Sequence, residues 1–598
     1  MFRRKFAGVL LIYVLLLPVF SFGQSESKLY EVPKETFDKI KEEGTTRSQV
    51  MQTLSYMSDV IGPRLTASPG MKRANDWTKD TLAKWGLQNA HLESWGPFGR
   101  GWTLKRFHAM VDGPTAFPMI AYPKAWSPGT DTLIEIAPQN GTKKGKAAPV
   151  MPANHDTAYT AEVVRYNPTN EAELEQYKGK LRGKIVLIGP IRDVRAHFEP
   201  QASRETDKEL LDLADAADPQ SIRRQAGPGP GGPNNFQQQA QFNARRFRFL
   251  SEEGAAILID GARGDGGTIF VQQAAAVQPA TPPPAGQTNP TVRDKGANVP
   301  IQISAAAEHF NRVARMVDAG EKVSMTVDLA VEYQDQDLNG YNTVAEIPGS
   351  DLKDEIVMLG GHLDSWQSGT GATDNGAGCS VMMEAVRILQ TLGLKPRRTI
   401  RIALWTGEEQ GLLGSRAYVR QHFGYFGDGT TPAFGGGGGG GGAAANNTPR
   451  VLTKLSEYDK LSAYYNIDNG TGRVRGVYMQ GNNMVRPIFR RWLEPFKDTK
   501  WYDPAKDMSA NTLTLSNTGG TDHLSFDAIG LPGFQFIQDT IEYDTRTHHS
   551  NMDVFDRIQA DDMKQMSIIL AAFVYQTAMN DEKIPRKPGN WTVREMAP

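Results

Sequence analysis

The sequence carries one cysteine, Cys379, in 598 residues, so no disulfide can form within the chain. Stability has to come from packing, and in an exported chain from bound metal as well. Formal charge is −1, from 66 basic and 67 acidic residues, which leaves no electrostatic footprint for nucleic acid. Beyond the N-terminus no run is long and apolar enough to span a bilayer. No G-x-S-x-G elbow stands on a strand-to-helix turn, which excludes a serine hydrolase on an α/β sheet. Histidines number only ten, so the adjacent pair His548 and His549 in "YDTRTHHSNMDVFDRI" invites a metal reading.

The chain is too long for one hydrophobic core, and its length suggests roughly two to four domains. "MFRRKFAG" is a basic lead-in and "VLLIYVLLLPVF" an apolar core of signal-peptide length, followed by small residues at "SFGQ". Residues 1–23 are therefore expected to be a secretory signal, too short for a spanning helix. Amphipathic helices follow. "SPGMKRANDWTKDTLAKWGL" has Ser68 near its start and Gly86 at its end. A strand-rich region begins near "AYPKAWSPGT", with "KIVLIGP", "GAAILIDG" and "KVSMTVDLAVEYQDQ" as strands. The stretch from Ala202 to Arg246 and the run from Ala274 to Gln287 read as surface loops or mobile segments. From Tyr341 strands alternate with helices, a three-layer α/β pattern. The glycine-rich segment 435–447 cannot bury a core and reads as a flexible loop.

Four strand ends of the α/β half carry polar residues, and open α/β sheets bind ligands beyond the carboxyl ends of their strands. His362 follows "VMLGG", with Asp364 two residues on and able to orient the imidazole. Asp374 stands in a glycine-rich turn before an apolar helix, where an N-cap is the ordinary role. Glu408 and Glu409 lie between a core strand and a helix start with no adjacent Lys or Arg, so their repulsion calls for a metal. Asp468 ends "YYNI". Each signal is weak alone; together, on consecutive strand ends, they point to one site.

These segments, "GGHLDSWQSGTGATDNGAG", "TGEEQGLLGS", "YNIDNG", "GGTDHLSF" and "HHSNMD", resemble the co-catalytic di-zinc aminopeptidase and carboxypeptidase family. "IGPRLTASPG" is similar to a further family segment, with Ala67 in place of a glycine. The resemblance implies an αβα sandwich with a mixed central sheet, formed by residues 24–122 and 336–598, and a β-rich protease-associated insert at 123–335. It implies two zinc ions per chain, held by His362, Asp374 and Asp468 and by Asp374, Glu409 and His549, with Asp374 bridging. His549 is preferred to His548 because Asp553 lies four residues after it, as in the family pattern. Glu408 would be the general base toward a water shared by the zinc ions, Asp364 would assist catalysis, and Asp522, His523 and Tyr543 would lie near the substrate. The other histidines read as ordinary. The implied protein is an exported exopeptidase, periplasmic or extracellular, acting on peptides. Aminopeptidase activity is favoured over a carboxypeptidase Q-like carboxypeptidase or dipeptidase, and a silent receptor-like relative is remote because every ligand position is filled. No nucleic-acid partner and no lasting membrane anchor are expected, and a homodimer is left open.

Overall fold

The computed structural model describes residues 29–134, 157–219, 233–281, 283–284, 288–427, 450–497, 510–589 and 591–595. The expected signal at 1–23 and the glycine-rich segment 435–447 lie outside them. An eight-stranded mixed sheet organises the α/β half. At its centre Arg398–Trp405, Leu352–His362, Leu461–Asn466 and Gly533–Gln538 run parallel. Gly340–Ile347 and Gln88–Trp95 add antiparallel strands on one side, and Val474–Tyr478 and Thr512–Thr514 extend the other.

The central strands are apolar on both faces because both are covered. Val357 and Leu359 point into a core shared with helices Lys34–Thr46, Ala377–Thr391 and Ala560–Met579. Ile356 and Met358 point the other way, against helix Leu413–His422 and Phe526. Helix Ala560–Met579 is buried on nearly every face, as its unbroken run "MSIILAAFV" dictates. Three layers result, as the alternation of strands and helices leads one to expect. Ser68 caps helix Pro69–Lys84 through a bond from the Met71 amide, and Pro69 opens the helix.

A second eight-stranded sheet is built from residues between Trp95 and Gly340. Its longest pairing joins Gly101–Gly113 to Ser324–Gln334, so the sheet includes a strand that precedes the expected bound at 123. The strand was hidden in the sequence because its outward residues are charged. Lys105 pairs with Glu332 at 2.9 Å and Arg106 with Asp328 at 2.6 Å across the ladder. The described residues of the stretch from Ala202 to Arg246, up to 219 and from 233 on, also depart from a loop reading. Thr206 and Glu209 form a capping box on helix Asp207–Ala214, and helix Pro233–Glu252 delivers Phe249 and Leu250 to a small core. Ala274 and Ala276 are buried rather than exposed. They belong to a cluster with Trp95, Phe98, Trp126 and Trp366 that joins the second sheet to the first.

One ion-pair network makes folding depend on pH. His422 lies 2.7 Å from Glu93 and 3.3 Å from Glu457. Burial works against its charge, but the two carboxylates outweigh it and raise its pKa to about 9, while Glu457 is held down to about 2. A histidine whose folded pKa exceeds its unfolded value near 6.5 adds stability that is complete below pH 6.5 and is lost as pH rises through 9. Calorimetry should show the melting temperature of the wild type falling over that window more steeply than that of His422→Gln. Equal slopes would refute the assignment.

Candidate metal centre

His362 is the last residue of strand Leu352–His362, and the next turn is fixed from behind by Arg64. The buried Arg64 guanidinium donates to the carbonyls of Leu363, Thr370 and Gly371 at 2.7–2.8 Å. Gly371 adopts φ +64°, and a Cβ there would meet Ser365 at 2.4 Å. Asp374 follows in the turn Ala372–Gly376 and makes no capping bond; Asn375 Oδ1 accepts the Gly378 amide instead. The Asp374 carboxylate is therefore left for the site. After strand Arg398–Trp405 the chain turns at Gly407, φ +72°, and presents Glu408 and Glu409. Asp468 lies just past strand Leu461–Asn466.

These residues meet. His362 Nε2 is 3.2 Å from Asp374 Oδ1, 3.2 Å from Asp468 Oδ1 and 3.9 Å from Glu408 Oε2. His549 Nε2 is 2.9 Å from Glu409 Oε2 and 3.3 Å from Asp374 Oδ2. Asp374 thus turns one oxygen to each histidine. Three donor groups with atoms within 4.8 Å overlap here: His362, Asp374 and Glu409; His362, Glu408 and Asp468; Asp374, His548 and His549. His548 Nε2 stands off at 3.8 Å from Asp374, and its ring stacks on Tyr543 at 4.6 Å.

The donor set fits cations. Asp374 Oδ2 and Glu409 Oε1 are buried without a hydrogen bond, a costly state unless an ion satisfies them. Burial first, then Asp468, Asp522 and Glu409, pushes Glu408 well above the usual carboxylate range. Burial and then Asp374 do the same to Glu409. Burial also works to raise Asp374, yet the bond from His362 and the charges of His549 and His548 hold it low. His362 is raised well above its ordinary value: burial opposes its charge, and Asp468 and Glu408 overcome it. Like charges crowded in low dielectric are what divalent ions relieve. Imidazole and carboxylate donors without thiolate suit zinc, cobalt or manganese.

Asp364 has a different task from orienting the His362 ring through its carboxylate. That carboxylate is 3.6 Å from His362 Nδ1, and it is the Asp364 main-chain carbonyl that meets Nδ1 at 3.0 Å. Its oxygens accept the amides of Glu408 and Glu409 at 3.2 and 3.3 Å and the Thr66 hydroxyl at 3.0 Å. Asp364 is a positioning residue. Asp553 is another: it accepts the amides of Thr373 at 2.5 Å and Asp374 at 3.2 Å. The four-residue step from His549 to Asp553 thus lets one loop bring a donor to Glu409 and brace the turn of Asp374. Asp522 is buried close enough to Glu408 to raise its pKa, and burial raises Asp522 itself to about 7. His523 does not join the cluster. Its Nε2 meets Gln480 at 3.0 Å and the Thr518 carbonyl at 3.2 Å, so it braces its own loop. Ala67 adopts φ 62°, which accounts for a glycine suiting that position.

The mixed α/β fold gathers these donors at the carboxyl ends of its parallel strands as one candidate metal centre. Residues 342–574 match the model of peptidase family M28. Mouse carboxypeptidase Q is 30% identical over 283 residues, 47% of this chain and 50% of that protein, so the match spans half the length of the mouse relative. Human carboxypeptidase Q is 23% identical over 576 residues, 93% of this chain and 94% of that protein. A peptidase M28 precursor from Shewanella amazonensis SB2B shares the fold, with TM-score 0.56 and 20% identity over 93% of this chain and 99% of that one.

Proposed function

We propose that the chain is an exported zinc exopeptidase that removes N-terminal residues from peptides. The observation that carries this reading is Asp374, whose two oxygens face two separate donor sets with Glu408 beside them. His362, Asp374 and Asp468 would hold one zinc ion, and Asp374, Glu409 and His549 the other. Bound zinc supplies Lewis acidity toward a water and toward the scissile carbonyl. Glu408 takes the proton of the attacking water and returns it to the leaving amine. The Asp364 carboxylate fixes the backbone that presents Glu408. The cleft at the cluster is lined by Trp366, Asp374, Glu409, His549 and Asp553 among others. A free substrate α-amine would find a ligand position on one of the two zinc ions, which favours aminopeptidase action.

A second reading, a carboxypeptidase or dipeptidase, is supported by the name of the carboxypeptidase Q relatives. The expected signal at 1–23 supports export. Among the described residues no helix is long and apolar enough to cross a membrane. The experiment is a panel of aminoacyl-nitroanilides, dipeptides and N-acetylated peptides, assayed before and after chelation. Cleavage confined to free-amine substrates is expected, with loss on chelation and recovery with Zn²⁺. Cleavage of N-acetylated peptides at the C-terminus would favour the second reading, and activity unaffected by chelation would overturn both.

The histidine pair gives a separate test. His549→Ala should lose about one metal equivalent, while His548→Ala should keep both, because only His549 Nε2 reaches Glu409 and Asp374 within 3.3 Å. Metal analysis of the two variants decides, and the reverse pattern would refute the assignment.

A further inference from the structure

The inserted sheet reaches the candidate metal centre itself. The chain after its strand Ile257–Gly261 lies along the segment that carries His549. The Ile269 amide donates to Asn551 Oδ1 at 2.7 Å, and the Asn551 amide donates back to the Ile269 carbonyl at 3.1 Å. The Val271 amide donates to the His549 carbonyl at 3.0 Å. The side-chain nitrogen Nε2 of Gln272 then lies 3.0 Å from His549 Nδ1. Gln272 is itself fixed: its carbonyl accepts the Ala125 amide at 3.0 Å, and Ile269 and Val271 beside it are buried. His549 adopts φ 61°, a left-handed conformation that strains a non-glycine residue. These bonds from the insert offset that strain and set where the ring points.

We infer that Gln272 is a positioning residue for His549, so that the inserted unit completes the metal centre. This rests on the reading of His549 as a zinc ligand. An imidazole that gives its Nε2 lone pair to a cation keeps its proton on Nδ1 and needs an acceptor there. Asp553, the nearby carboxylate of the same loop, is engaged with the amides of Thr373 and Asp374. Gln272, whose Nε2 faces Nδ1 here, would supply the acceptor by turning its Oε1 to that nitrogen when the ion is bound, since a side-chain amide can present either end to a neighbour. The Gln272 side chain is exposed, so water competes for the same nitrogen. The effect of removing it therefore falls at the low end of the 10–100-fold range typical of such partners.

The test is a Zn²⁺ titration of the metal-free full chain against a chromophoric chelator, for wild type, Gln272→Met and Gln272→Glu. Wild type should take two equivalents. Gln272→Met should weaken one of them about tenfold and leave the other unchanged. Gln272→Glu, still an acceptor, should bind as tightly as wild type or more so. The melting temperature of the metal-free proteins should not differ. Wild-type binding of both equivalents by Gln272→Met would overturn the inference, as would equal weakening in Gln272→Met and Gln272→Glu, which would mark a structural role. A wild type that takes fewer than two equivalents would overturn the zinc reading, and the inference with it.

Discussion

Glu408→Gln is expected to keep its metal and lose kcat by roughly 10²–10⁴-fold, the usual worth of a general acid–base group. The argument begins with what Glu408 does not do. Its carboxylate is 3.9 Å from His362 Nε2, while Asp374 and Asp468 each approach that nitrogen to 3.2 Å, so Glu408 is the outer member of its group. Glutamine keeps the shape and the backbone amide that Asp364 accepts, but it cannot take a proton. Removing one of several buried like charges should also raise the melting temperature of the metal-free protein, because burial and the neighbouring acids already oppose ionisation there. Steady-state kinetics, metal analysis and calorimetry give three independent readings. A near-normal kcat would remove Glu408 as the base; lost metal would make it a ligand.

The cluster was legible because each donor follows an apolar strand, and strand ends are where an open sheet gathers ligands. His362, Asp374, Glu408, Glu409 and Asp468 could be proposed from that pattern, and Asp374 separated from a capping role only once Asn375 was seen to take it. Other parts left little trace. Gly101–Gly113 carries Lys105, Arg106 and His108 on an exposed side, so its alternation is blurred by charge that pairs across the ladder. Helix Asp207–Ala214 is polar apart from a few leucines, and only the capping box at Thr206 signals it. Arg64 and Thr66 act through distant partners, Gly371 and Asp364, which no local pattern shows. Gln272 sits in "VQQAAAV", a run with no signature at all. His523 misleads for the opposite reason: it adjoins Asp522 in sequence, yet the short helix His523–Asp527 turns its ring to Gln480 and away from the cluster.

Asp374→Asn should do more damage than the loss of any other donor. Its Oδ1 lies 3.2 Å from His362 Nε2 and its Oδ2 3.3 Å from His549 Nε2, so one side chain serves both donor sets. Asparagine offers a single oxygen and presents an NH₂ group where the second oxygen stood, toward a buried site that Asp374 Oδ2 occupies without a hydrogen bond. It also removes a negative charge that burial alone would have suppressed and that His362 and His549 sustain. A partner outside the ligand shell is worth roughly 10–100-fold in metal affinity, so a shared ligand should cost more than about 100-fold at both positions. Asp468→Asn, which alters a donor facing His362 alone, should weaken one position and spare the other. Metal content after dialysis against a weak chelator should therefore fall to near none for Asp374→Asn and to about one equivalent for Asp468→Asn. Two retained equivalents in Asp374→Asn would show that Asp374 does not bridge. One retained equivalent in both variants would assign it to a single set, with Glu409 and His549 left to hold the second ion on their own.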